Sequence, residues 1–243
     1  MQQEGQNTHL VLPEETERRL VFYLAMEEWA VRNAPDSFFV WSVQPTVIFG
    51  RNQDMEAEVN VAYCRGHGIQ MYRRKSGGGC VFSDKGNLML SYITSQKDVS
   101  VAFQDYLERL ASALRGLGMD AVTTAHNDIL VNGLKVSGNA CFATPTGCIV
   151  HGTLLYNGDF AQMERAITPS REKLQSKGIQ SVRQRVGNLK ELGIEFSIDE
   201  LKDKIIHYFC KKETCLSPAV ICEIEEIESG YLDDNFIRYG RRV

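Results

Sequence analysis

Residues 77–79 are three consecutive glycines, set between Arg73-Arg74 and the apolar pair Val81-Phe82 in the run RRKSGGGCVFSDKGN. No other stretch restricts the fold as much. Each glycine loses more backbone entropy on ordering than a residue with a side chain, so three in a row weaken any helix or strand. The chain must turn or bulge here, and it does so beside two guanidinium groups. Bare amides next to forked cations suit an anion such as phosphate. A tight turn flanked by a solvated arginine pair fits the same pattern. Neither the Walker spacing nor GxGxxG is present.

Around this stretch the hydrophobic periodicity supplies the elements. Residues 14–33 read as an amphipathic helix, with Leu20, Tyr23 and Leu24 at three- and four-residue intervals and Trp29-Ala30 continuing the apolar face, stopped at Asn33-Ala34-Pro35. SFFVWSVQPTVIFG gives two short strands split at Pro45, and NLMLSYIT alternates like a strand. VSVAFQDYLERLASALRGLG predicts a helix opened by Ser100 and ended by Gly116 and Gly118. NDILVNGLKVSGNACF carries a hairpin signal, strand, Asn132-Gly133 turn, strand, and CIVHGTLLYN is a further strand. Helical patterns return at 160–176 and 198–212. Regular alternation of strand and helix is missing, so the expectation is a single α+β domain over residues 1–243. Its sheet is largely antiparallel or mixed, with helices covering one face.

Composition narrows the function. With 243 residues, 43% of them hydrophobic, the chain can bury a sizeable core. A net charge of −4 argues against a general nucleic-acid binder. No apolar run is long enough to span a membrane, and the N-terminal residues lack the basic and apolar regions of a secretory signal. Seven cysteines without a CxxC pair, and five scattered histidines, fit reduced thiols in a cytoplasm rather than a disulfide frame or zinc site.

Four blocks together resemble the lipoate–protein ligases. RRKSGGGCVFSDKGNLMLSYI is similar to that family's RRxSGGGAVFHDxGN signature, and HNDILVNGLKVSGNA to its Asn-Asp and Lys-Val-Ser-Gly block. HGTLLYNGDF is similar to HGTLLxNxD, and KLQSKGIQSVRQRVGNLKEL to the loop that orders over the activated acid. The resemblance implies the biotin/lipoate ligase catalytic-domain fold and a two-step reaction. ATP, with Mg2+, activates lipoate as lipoyl-AMP, and the acyl group passes to a lysine of a lipoyl domain. The acceptors implied are E2 subunits of 2-oxoacid dehydrogenases or the glycine cleavage H protein. A separate accessory protein is also implied, because two-domain ligases continue into a C-terminal domain.

Carried over residue by residue, Arg74 contacts the nucleotide phosphates, and Gly77, Gly78, Gly79, Cys80, Val81 and Phe82 line the adenylate and acyl site. Asn127, Asp128, Ser137, Gly138, His151 and Gly152 complete it, with Lys177, Arg183 and Arg185 on the closing loop. Lys135 falls on the catalytic lysine, a fixed cation between the reacting carboxylate and the α-phosphate, where charge develops. Asp128 is the candidate magnesium ligand, or else an Asx turn opening a strand.

Cys148 opens a second reading. Gly147-Cys148-x-x-His151-Gly152 resembles the active-site block of octanoyltransferases, where the cysteine carries the acyl group as a thioester and the lysine lowers its pKa. Under that reading Cys148 is the nucleophile and Lys135 its activator; otherwise Cys148 is an inert strand residue. A non-catalytic module binding lipoate or a lipoyl domain is the third possibility. Ser83 and His126 depart from the ligase signature, which commonly has histidine and arginine there.

Overall fold

A computed structural model describes residues 7–14, 16–125, 127–168 and 185–240. Its centre is an eight-stranded sheet. In chain order the strands are β1 (Asn7–Val11), β2 (Ser37–Trp41), β6 (Asn87–Thr94), β7 (Ala121–Thr123), β8 (Asp128–Val131), β9 (Leu134–Ala143), β10 (Cys148–Leu155) and β11 (Cys210–Cys215). Their spatial order is β11-β1-β2-β6-β10-β9-β8-β7. The two pairs made by β1 are parallel and the others antiparallel. A second sheet, β4-β3-β5, combines β3 (Thr46–Phe49), β4 (Gln70–Arg73) and β5 (Cys80–Ser83). The mixed α+β fold expected from the sequence is the one observed.

Helices cover both faces of the large sheet, not one. The reason lies in β6 and β10, which are buried along their whole length. Alternate residues of β6 point opposite ways. Leu88, Leu90 and Tyr92 pack under α4 (Val99–Gly116) and α6 (Ile198–Phe209), whereas Met89 and Ile93 pack under α1 (Leu20–Asn33) and α7 (Pro218–Ser229). Helix α1 is buried on nearly every side, including the carboxylates of Glu27 and Glu28. It starts at Leu20, six residues later than its periodicity suggests. Arg18 and Arg19 are drawn instead to Glu225 and Glu228 on α7.

Smaller differences have equally local causes. Asp98, not Ser100, caps α4, its Oδ1 accepting from the amides of Ser100 and Val101. The Asn132-Gly133 hairpin forms as expected, both residues at positive φ (51° and 77°). Within the described part of 160–176 the helix is α5 (Phe160–Ala166). The pattern at 198–212 yields α6, after which Cys210 opens β11 because β1 offers it a parallel partner. Two short helices, α2 (Met55–Glu58) and α3 (Val61–Gly66), precede β4, and α8 (Asp234–Tyr239) closes the fold against it. None of the described helices is long and apolar enough to cross a membrane.

Candidate active site

A cavity of ≈ 550 Å³ opens where the two sheets meet. Its apolar part is lined by Leu24, Trp41, Ile48, Val81 and Met89, and its polar part by Arg74, Gly77–Gly79, Lys135 and Arg185. Cys80, Gly138, His151 and Gly152 also line it. Sequence positions far apart thus converge: the glycine loop from the small sheet, Lys135 and Gly138 from β9, His151 and Gly152 from β10.

Neither arginine is a solvated surface group. Arg73 is 2% exposed, and its donors reach the carbonyls of Gly50, Arg51, Gln53, Phe236, Ile237 and Arg238. It ties β4 to α8 and to the 50–53 loop. Arg74 is also buried, and burial pulls its guanidinium down to about 10. It donates to the carbonyls of Gly77 (2.8 Å), Gly79 (2.8 Å) and Ile48 (3.3 Å). Arg74 therefore shapes the glycine loop from beneath. Only Gly78 has a conformation that demands glycine, at φ 92°, whereas a Cβ on Gly77 or Gly79 would meet nothing within 4 Å.

Behind the lining residues Lys135 and Arg185, Asp128 is 4% exposed and pairs with both cations. Oδ1 lies 2.7 Å from Lys135 Nζ, and Oδ2 accepts from Arg185 Nη2. Neither an Asx turn nor a magnesium ligand describes this carboxylate. Both its oxygens are held by cations. The residues present do not fit a magnesium site at Asp128. Lys135 is not bare in the sheet, since Asp128 neutralises it. Its backbone bridges to Val186, with Lys135 N–H donating to Arg185 O (2.8 Å) and Gly187 N–H to Lys135 O (3.0 Å). Gly138 has no side chain because Lys135 lies across it. Gly152 is bare because Asn139 and the Tyr106 hydroxyl crowd it.

Other expected site residues fall further back. Phe82 is buried in the cluster under α3 and α5, and Ser137 is fully buried with its hydroxyl on Asn139 Oδ1. Asn127 sits at φ 61°, its carbonyl accepting from Asn139 Nδ2. Ser83 Oγ donates to Met89 Sδ at 3.3 Å. Lys177, Arg183 and His126 lie outside the described residues.

Cys148 is withdrawn from the cavity. On β10 it has the opposite parity to His151 and Thr153, so it points into the core under α4 and is 0% exposed. Burial raises its thiol, and it pairs with Cys141, whose thiol burial pushes up to about 12. A thiol so placed neither meets a ligand nor ionises readily, which removes it as the acyl-carrying nucleophile.

The sequence missed a buried polar chain under the cavity. Trp41 Nε1–H donates to Ser91 Oγ (2.9 Å), and Ser91 donates to Glu27 Oε1 (2.6 Å). Glu27 Oε2 lies 2.8 Å from His151 Nδ1, and His151 Nε2 lies 2.7 Å from Ser76 Oγ. The one available signal was Glu27-Glu28 inside an otherwise apolar helix face.

Comparison with known proteins identifies the family. Residues 20–210 match the lipoyl protein ligase A/B catalytic domain. Lipoate–protein ligase 1 of Staphylococcus aureus is 41% identical over 188 residues, which are 75% of this chain and 57% of that protein. The Bacillus subtilis lipoate-protein ligase LplJ is 37% identical over 76% of this chain and 57% of its own length. The chain thus spans little more than half the length of these relatives. Among solved structures, a bipartite lipoate protein ligase from Thermoplasma acidophilum, described with its E2 lipoyl domain, superposes with TM-score 0.84 at 25% identity, covering 98% of both chains. A lipoate-protein ligase A bound with ATP superposes at 0.79 and 24% identity, covering 95% of this chain and 98% of that one, and shares the fold. With a family match across most of its length, the chain belongs to the lipoyl protein ligase A/B catalytic-domain family.

Proposed function

We propose that the chain uses ATP to activate lipoate and transfers the lipoyl group to a lysine of a lipoyl domain. The observation that carries this reading is the Lys135–Asp128–Arg185 cluster at an apolar cavity, facing a bare glycine loop. The apolar end suits an acyl tail and the cationic end a phosphate. In the first step a carboxylate oxygen attacks the α-phosphorus of ATP, the bond to pyrophosphate breaks, and lipoyl-AMP forms. In the second, a lysine amine attacks the acyl carbon, AMP leaves with the bonding pair, and the amine sheds a proton. Negative charge gathers between carboxylate and phosphate in the first step, and Lys135 is placed to stabilise it. Arg185 supplies a second cation at the phosphate end. Acceptors are E2 lipoyl domains or the H protein, a separate accessory protein assists activation, and seven cysteines without a disulfide among them suit a cytoplasmic location.

The test is lipoate-dependent ATP–pyrophosphate exchange with magnesium present, followed by mass analysis of an apo lipoyl domain. A lipoyl mass gain with ATP and lipoate supports the reading. Transfer from added lipoyl-AMP alone assigns activation to a second protein. Absence of both, with and without such a partner, rejects it.

A further inference from the structure

The buried chain beneath the cavity has a fixed direction. An indole N–H only donates, so Ser91 must accept from Trp41 and spend its own hydrogen on Glu27 Oε1. An ionised carboxylate only accepts. Glu27 Oε2 therefore takes a hydrogen from His151 Nδ1, 2.8 Å away, and the proton on that ring is assigned to Nδ1. The ring is thereby oriented so that Nε2 meets the Ser76 hydroxyl at 2.7 Å. Ser76 immediately precedes the glycine loop, and its carbonyl accepts from Arg51 N–H (3.0 Å). The neighbouring carboxylate acts in parallel. Glu28 Oε1 holds Lys75 Nζ at 2.5 Å and accepts from the Tyr231 hydroxyl. Two consecutive acids on α1 thus take hold of two consecutive residues, 75 and 76, at the entrance to the loop.

We propose that Glu27 is a positioning residue for the adenylating site. By fixing the His151 ring it sets the Ser76 hydroxyl, and with it the backbone of Gly77–Gly79. Glu27 is 2% exposed and does not line the cavity, so it reaches the glycine loop only through His151, its other bond running through Ser91 to Trp41 on the apolar wall. The kinetic consequence rests on the function proposed above; the proton assignment does not.

The informative variant is Glu27→Gln, nearly isosteric. Ser91 still has only its hydrogen to offer, so the amide oxygen must face it and the NH2 must face His151. Nδ1 then has to accept, and the ring proton moves to Nε2. Nitrogen-15 NMR of His151 in the full chain should show Nδ1 protonated in the wild type and bare in E27Q. Lipoate-dependent exchange should lose about tenfold to a hundredfold in kcat/KM, mostly through KM, the scale of a small misplacement of binding groups. Ser76→Ala cuts the far end of the chain and should show the same KM defect with the Nδ1 proton unmoved. The double variant should be no worse than either single one. A bare Nδ1 in the wild type, or an unmoved proton in E27Q, overturns the assignment. Normal KM in both variants, or additive losses in the double, overturns the positioning role. If wild-type protein shows no exchange at all, the proposed function fails while the NMR result still judges the assignment.

Discussion

Gly138→Ala separates catalysis from stability at one atom. A Cβ there would lie 2.5 Å from Lys135 Nζ and 2.6 Å from its Cε, where ordinary contact begins at 3.4 Å. Gly138 lies outside the left-handed region, so alanine fits the backbone. The atoms in the way are the far end of a flexible side chain, so the ammonium moves by about 1 Å and the fold does not. Asp128 keeps Arg185, and Lys135 is 24% exposed, so weakening their 2.7 Å pair costs less than about 1 kcal/mol. Replacing glycine by alanine returns a similar amount by restricting the unfolded chain. Melting should stay within about 1 kcal/mol of wild type. The reaction should not be spared, because a 1 Å misplacement of a fixed group is worth about a hundredfold, or about 2.7 kcal/mol of barrier. Thermal melts and ATP–pyrophosphate exchange on the same sample read both quantities. Full exchange activity in a folded G138A protein would refute the placement of Lys135 at the reacting groups.

Lys135→Ala should lower both half-reactions a hundredfold or more, about 3 kcal/mol, and near-normal exchange rates would take the lysine out of the mechanism. Cys148→Ser should keep activity per folded molecule while losing about 1–3 kcal/mol in urea melts, because a hydroxyl replaces a thiol in a closed apolar core. Intact-protein mass analysis after mixing with an octanoyl donor should show no thioester. Arg73→Met should cost about 4 kcal/mol or more in the same melts, since six carbonyls lose a shared donor. A loss below about 1 kcal/mol would mean water replaces the guanidinium without strain. Asp128→Asn should cost only about 1 kcal/mol in stability, because both cations stay partly exposed, yet should depress exchange by releasing Lys135.

What could be read from the sequence was local. The Asn132-Gly133 turn and the strand at 148–155 depend on near neighbours, and both form as expected. Parity along the latter strand already separates Cys148 from His151, because side chains alternate faces. The failures all involve distant partners. Residues 210–212 carry helical periodicity, but β1, two hundred residues earlier, supplies a ladder that pattern alone cannot reveal. Arg73 and Arg74 have the composition of an anion site. Only the fold shows their donors committed to backbone carbonyls. Glu27 and Glu28 would be assigned to a solvated face, and His151 and Lys75 are what make them buried. The cavity was legible as a set of motifs, and its supporting residues were not.

The Arg73 clamp has a mechanical meaning. Helix α8 is six residues long, far below the length at which a helix holds itself together in water. Three of its carbonyls share one planar ion with the carbonyls of Gly50, Arg51 and Gln53, and Gln53 lines the cavity. The last helix and the wall of the binding cavity therefore loosen or tighten together. Loss of that one ion would free the carbonyls of both at once.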